Sequence, residues 1–140
     1  MTISVQDVKV GDSRSLVVAE NLTRTQIVMY AGASGDYNPL HSDEVYTTQA
    51  AGYPSVFAHG MLSMGATGRL LTDWFGAGRL ARFGVRFLNQ VWPGDTLTAT
   101  ATVEVIRDEG GEHLVDVTVT TTNQDGKPVV SGTATARLDR

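Results

Sequence analysis

The sequence predicts an α+β fold, with helices first and a curved antiparallel sheet after them. Three observations carry this. Apolar residues keep helical spacing only in the first half of the 140-residue chain. A segment from about His59 to Phe75 is apolar or small on nearly every face, as expected of a buried helix. From Ala81 to Leu138 the residues alternate with period two. A single long helix against a single curled sheet uses these parts most simply.

The elements follow in order. The first third reads as short helices separated by loops. Thr23 with Gln26 fits a capping box, Ile27, Tyr30 and Ala31 share one helical face, and the helix should stop near Gly32–Gly35. Ser34 to His41 is dense in turn formers, and Pro39 disfavours helix at Asn38, so this piece is loop. Ser42 is the expected N-cap of the next helix, with Asp43 and Glu44 in its first turn and Gly52 as its stop. In the long helix only Arg69 and Asp73 are charged, which leaves one wet stripe. Its glycines Gly60, Gly65 and Gly68 would each weaken an exposed helix by up to ~1 kcal/mol, so a sheet or ligand is expected to press close to all three.

The sheet region divides at its turns. Ala81, Phe83, Val85 and Phe87 share a face, and Pro93-Gly94-Asp95 makes a turn. Leu97, Ala99, Ala101, Val103 and Val105 form the next inner face. Asp108 to Gly111 turns the chain into a strand marked by Val115, Val117 and Val119. Asp125-Gly126 signals a hairpin, after which Val130, Ala134, Ala136 and Leu138 point one way.

Composition excludes several function classes. There is no cysteine, hence no disulfide, thiolate metal site or cysteine nucleophile. The formal charge is −4 and no Lys/Arg run exists, so neither nucleic acid nor a membrane surface is an expected partner. The longest uncharged stretch, Val45 to Gly68, contains Gln49, Pro54, His59 and four glycines and is no transmembrane helix. The N-terminus lacks a signal-peptide pattern, so the expected location is the cytoplasm. No repeat or composition break divides the chain, and one domain over residues 1–140 is expected.

The chemistry-bearing residues are few. His41, His59 and His113 lack ligand spacing, and no metal site is expected. Asp36 precedes His41 by five residues in a loop stiffened by Pro39. Such a pair can grip one water, the carboxylate accepting its proton and the imidazole orienting it. The same residues also suit an Asx-turn and a helix start, and residue chemistry alone leaves both readings open. His59-Gly60 opens the long helix, where unpaired N–H groups suit an oxygen gaining negative charge. His113 reads as structural or surface.

The run Tyr30-Ala31-Gly32-Ala33-Ser34-Gly35-Asp36-Tyr37-Asn38-Pro39-Leu40-His41 resembles the hydratase motif of MaoC-like and (R)-specific enoyl-CoA hydratases. Phe57-Ala58-His59-Gly60-Met61-Leu62 and Val91-Trp92-Pro93-Gly94-Asp95-Thr96-Leu97 continue the resemblance from roughly Val5 to Leu138. Within the family, the chain resembles the catalytic subunit of the (3R)-hydroxyacyl-ACP dehydratases that elongate mycolic acids. The resemblance implies one hotdog domain, a long central helix wrapped by a curved antiparallel sheet, assembled as a homodimer or higher oligomer, with a heterodimer as the alternative. It implies that Asp36 and His41 hold a water that adds to C3 of a trans-2-enoyl thioester. The Gly60 amide then meets the thioester oxygen, and Asn38 and His59 shape the site. The product is a (3R)-3-hydroxyacyl thioester, no cofactor is implied, and the reverse reaction is a dehydration.

One departure stands out. Some relatives carry a serine in the middle of the long helix where this chain has Gly68, which would leave room for a longer or bulkier acyl group. Ser63, about a turn and a half away, does not take over that role. Two rival readings are a hotdog thioesterase, which would place a carboxylate on or near the long helix, and a non-catalytic acyl-binding subunit, which would lack the Asp–His pair. The substrate could ride on CoA or on acyl carrier protein, and Arg79, Arg82 and Arg86 are candidate contacts for either.

Overall fold

The computed structural model describes residues 3–140. Helix α1 (Arg24–Ser34) and helix α2 (Gly60–Phe75) precede four long strands, β2 (Leu80–Phe87), β3 (Leu97–Glu109), β4 (Glu112–Thr122) and β5 (Pro128–Leu138). A strand β1 (Ser13–Ala19) comes before both helices. The sheet is antiparallel in the order β1-β3-β4-β5-β2, and α2 packs on its concave face against β1, β2, β3 and β5. This is the wrapped-helix arrangement expected of a hotdog fold. No helix among the described residues is long and apolar enough to cross a membrane.

Strand β1 corrects the reading of the first third as helices and loops alone. It is an edge strand whose first three residues are exposed, and inward packing is confined to Leu16, Val18 and Ala19. So short a period-two signal does not stand out until β3 supplies its partner, Ser13 lying opposite Thr102. Val105 is a second correction. The register shifts between Val103 and Val105, and this bulge turns Val105 outward (45% exposed) while Ile106 packs on the core.

The core is the far half of α2 against the middle of the sheet. Leu70, Leu71, Trp74 and Phe75 meet Ala99, Ala101 and Val103 of β3, Val115, Val117 and Val119 of β4, and Ala134 and Ala136 of β5. Alanines on β3 and β5 let the helix lie close, and burying each large side chain contributes about 1.5–3 kcal/mol. Thr67 pins the register by pairing with Thr121 of β4 at 2.6 Å in a fully buried position. Strand β2 docks on β5 through a glycine contact. A Cβ on Gly132 would fall 1.9 Å from the Gly84 carbonyl oxygen, so only glycine fits there.

The glycines of α2 divide. A Cβ on Gly60 would meet the Phe87 ring at 3.1 Å, and one on Gly68 the Phe83 ring at 3.3 Å, so strand β2 presses on both as expected. Gly65 has nothing within 4 Å, contrary to the expectation. The room anticipated at Gly68 is taken up by Phe83, because β2 crosses the helix at that point.

Candidate active site

Three local structures converge on the N-terminus of α2. The first is the end of α1. Its Thr23–Gln26 capping box forms as read, and Gly35 ends the helix in the left-handed region (φ 75°), its N–H donating to the Ala31 carbonyl at 3.0 Å. The chain can then turn sharply into Asp36. The Asp36 N–H donates to Ser34 Oγ at 3.2 Å, the Asn38 N–H to Asp36 Oδ1 at 3.2 Å, and the Leu40 N–H to Asn38 Oδ1 at 3.0 Å. Asn38 therefore caps the one-turn 3-10 helix Pro39–His41, whose Pro39 sits where a missing N–H costs nothing. Asp36 does form the Asx-turn, but only through Oδ1. Its Oδ2 carries no hydrogen bond among the described residues.

The second structure is the segment after His41. Asp43, not Ser42, caps the next helical turn, accepting from the Tyr46 N–H at 3.0 Å, because Ser42 still closes the 3-10 turn and the next helix begins only at Glu44. Glu44 then reaches Arg24 of α1 at 2.5 Å and the Val56 N–H at 3.4 Å. The Arg24 guanidinium holds the Glu44 carboxyl below the usual carboxylate range, against an opposing desolvation. This exposed pair ties α1, the loop and the approach to α2 together. The third structure is the Pro93-Gly94-Asp95 turn. Asp95 is buried and satisfied by the Trp92 N–H and by Gln124 Nε2, both at 2.9 Å. It holds Val91, whose carbonyl accepts from the Ala58 N–H at 2.8 Å.

His41 and His59 meet at the centre. Their rings stack with centroids 3.8 Å apart and planes 25° from parallel. His41 Nδ1 lies 2.6 Å from the Phe57 carbonyl oxygen, which can only accept, so Nδ1 carries the proton and Nε2 is left as the acceptor of the neutral ring. By the same reasoning His59 donates from Nε2 to the Asp36 carbonyl at 3.0 Å. Its Nδ1 is buried without a partner, and the residue is 1% exposed. Tyr30 of α1 closes the far side of His59 edge-on at 4.8 Å.

Potential ligand atoms of Asp36, His41 and His59 lie within 4.8 Å of one another, a convergence that linear spacing concealed. The stacking works against shared coordination. Ring nitrogens bind a cation along their own planes, and near-parallel stacked rings direct those lone pairs side by side rather than at one point. His113 stands apart on β4, paired with Asp108.

Gly60 is the first residue of α2, and its N–H has no hydrogen-bond partner among the described residues. Beside it lies a cavity of about 270 Å³, walled by Phe57, Ala58, Gly60 and Ser63, by the 87–91 loop, and by Val129 and Val130 of β5. The cavity walls and the aromatic rings around the histidines were not read from the sequence. Ser63 was recoverable from helix geometry, because Gly60, Ser63, Thr67 and Leu70 repeat at the spacing of one inward stripe. Of the three arginines noted above, Arg79 pairs with Asp139, Arg82 lies near Asp116, and Arg86 forms no ion pair among the described residues.

Comparison with known proteins places this geometry. The profile described as MaoC like domain matches residues 6–125. The chain belongs to the MaoC-like dehydratase family. It is 37% identical over 135 residues to an (R)-specific enoyl-CoA hydratase of Rhodospirillum rubrum, covering 95% of this chain and 90% of that one. It is 39% identical over 79 residues to 3-hydroxyacyl-thioester dehydratase Y of Mycobacterium tuberculosis, a match spanning 54% of this chain and only 27% of that longer protein. Among solved structures, the (R)-hydratase of A. caviae involved in PHA biosynthesis superposes with a TM-score of 0.84 at 26% identity, over 96% of this chain and 99% of that one. MaoC-like membership thus agrees with the helix, sheet and motif order seen in this chain.

Proposed function

We propose that this MaoC-like chain hydrates trans-2-enoyl thioesters to (3R)-3-hydroxyacyl thioesters and catalyses the reverse dehydration. The observation that supports this most is the clamp at the helix entrance. His59 bonds the Asp36 backbone and stacks on His41, which brings an Asp36 carboxylate oxygen and ring nitrogens of both histidines within 4.8 Å of one another, next to the start of α2 where the Gly60 N–H is unpaired.

The chemistry follows from the donors and acceptors. A water donating to Asp36 Oδ2 and to His41 Nε2 directs its lone pair at C3 of the bound enoyl group. As the C3–O bond forms, Asp36 takes the water proton and the alkene pair moves through C2 and C1 onto the thioester oxygen. The Gly60 N–H meets that charge at the positive end of α2. Return of the proton from Asp36 to C2 completes syn addition and restores the carboxylate. Asn38 holds the loop as a cap, and His59 is a positioning residue.

The rival readings fare less well on particular residues. The one carboxylate on α2 is Asp73, thirteen residues beyond Gly60 and hence about 20 Å along the helix, too distant to serve a thioesterase site there. A non-catalytic acyl-binding subunit would have no need of the Asp36–His41 pair. For assembly we propose a second copy paired along the open edge of β2, where Phe87 and Leu88 are about half exposed, with an unlike hotdog chain as the alternative occupant.

The test is the purified chain with crotonyl-CoA and then a longer enoyl-CoA. Conjugated-enoyl absorbance should fall without release of free thiol, and chiral analysis should find the (3R) product. Thiol release would replace the proposal with a thioesterase, and an unchanged spectrum with both substrates would remove the homomeric CoA-linked activity.

A further inference from the structure

Gly60 is not the sole unsatisfied donor at the cavity. Ser63 lies one turn further on the same face of α2, is 3% exposed, and its hydroxyl forms no hydrogen bond among the described residues. A serine inside a helix ordinarily returns its hydroxyl to the carbonyl four residues back. Thr67, the next residue of the stripe, does so, donating to the Ser63 carbonyl at 2.8 Å while pairing with Thr121. Ser63 does not make the equivalent bond to His59. Its oxygen is not sealed in the interior, since among the described residues only His59 Nδ1 is a fully buried side-chain polar atom without a partner; the Ser63 hydroxyl opens into the cavity, where a ligand can supply its acceptor.

We propose that Ser63 is a second oxyanion donor, its hydroxyl joining the Gly60 N–H on the thioester carbonyl oxygen; this rests on the hydratase reading above. Helical side chains lean toward the N-terminus, so the Ser63 hydroxyl reaches back toward the cavity wall that Gly60 forms. The acceptor it fits is an oxygen whose negative charge grows as hydroxide adds to C3 and shrinks as C2 is protonated. A neutral hydroxyl stabilises that charge without the cost of burying a cation. Apolar walls at Phe57, Val91, Val129 and Val130 keep competing water from the bond. The role differs from that of the mid-helix serine of some relatives, whose place Gly68 occupies.

The test compares wild type, Ser63→Ala and Ser63→Thr in crotonyl-CoA hydration, with the thermal midpoint of each recorded. Loss of one oxyanion donor predicts a fall in kcat of about 10²-fold for Ser63→Ala with KM within about threefold, and recovery to within about fivefold for Ser63→Thr. A second readout avoids turnover. Hexadienoyl-CoA bound to Asp36→Asn should show a red-shifted absorbance, reflecting polarisation of its carbonyl, and adding Ser63→Ala should shrink that shift. Ser63→Ala with near-wild-type kcat, a loss confined to KM, equal losses in the alanine and threonine variants, or an undiminished red shift would each overturn the proposal. Should a folded Ser63→Ala prove unobtainable, Ser63→Cys, which keeps the side chain close in size but donates only weakly, takes its place in both measurements with the same outcomes expected. A wild-type chain inactive on every enoyl thioester would instead sink the hydratase reading, so the two failures are distinct.

Discussion

At its N-terminal end, α2 presents Gly60 and Ser63 to a cavity, lacks a side-chain cap, and borders a buried His59 nitrogen with no partner. At its C-terminal end, Leu70, Leu71, Trp74 and Phe75 are at most 4% exposed, and the Gly76 N–H closes the helix on the Thr72 carbonyl at 2.9 Å. The stripe that begins as glycine, serine and threonine ends as leucine and tryptophan. Unsatisfied donors and empty space are what a reacting ligand needs and what a stable core lacks. The contrast teaches that one helix can separate the two demands along its length, with Thr67 and its bond to Thr121 as the partition. Activity and stability should then respond to different substitutions.

The largest separation is expected at Asp36. Asn at this position keeps the acceptor for the Asn38 N–H, so the turn survives, while the base is removed. Hydration should fall by about 10²–10⁴-fold, whereas unfolding free energy should stay within about 0.5 kcal/mol of wild type. A folded Asp36→Asn enzyme with more than a tenth of wild-type kcat would end the assignment of the base. The opposite end supplies the converse. Leu71 is fully buried and surrounded by sheet, so Leu71→Ala should cost about 2–5 kcal/mol in denaturant unfolding. Below the unfolding transition its kcat should remain within about twofold. A large drop in kcat for the folded Leu71→Ala protein would mean that the two ends are mechanically coupled and that the partition fails.

How much of this could be read from the chain depends on how far apart the interacting residues are. The α2 span, the Thr23–Gln26 box and the Asp125-Gly126 hairpin are local, and each rests on residues within a few positions of one another. The Asp36–His41 motif is also local, and its resemblance to a hydratase motif carried the chemistry. What was missed is long-range. Strand β1 has a short inward pattern that only pairing with β3 makes decisive. The bulge at Val105 is a property of two strands. The stacking of His41 on His59 joins positions on separate loops, so linear spacing gave no sign that the histidines are neighbours. Asp43 displaced Ser42 as a cap because the preceding 3-10 turn extends through Ser42 and the helix starts one residue later, which sequence preference for either residue does not reveal.

The smallest expected effect sharpens the contrast at its boundary. Gly60, Gly65 and Gly68 lie on one helix and cost the same in backbone entropy, yet only Gly60 and Gly68 are pressed by an aromatic ring. Alanine at Gly60 has to displace the Phe87 ring from 3.1 Å, at the unpaired N–H that opens the helix. Alanine at Gly65 meets nothing within 4 Å and keeps an ordinary helical backbone. Gly65→Ala should therefore stabilise the protein by roughly 0.5–1 kcal/mol, a rise in thermal midpoint of about 2–4 °C, with unchanged kcat. Scanning calorimetry and sedimentation on the same samples read both stability and assembly. Were Gly65→Ala to lower the midpoint and also the sedimentation coefficient relative to wild type, Gly65 would be the seat of a subunit contact. The wet stripe of α2 would then be part of the interface, and the helix would carry a third region beside its reactive and its structural ends.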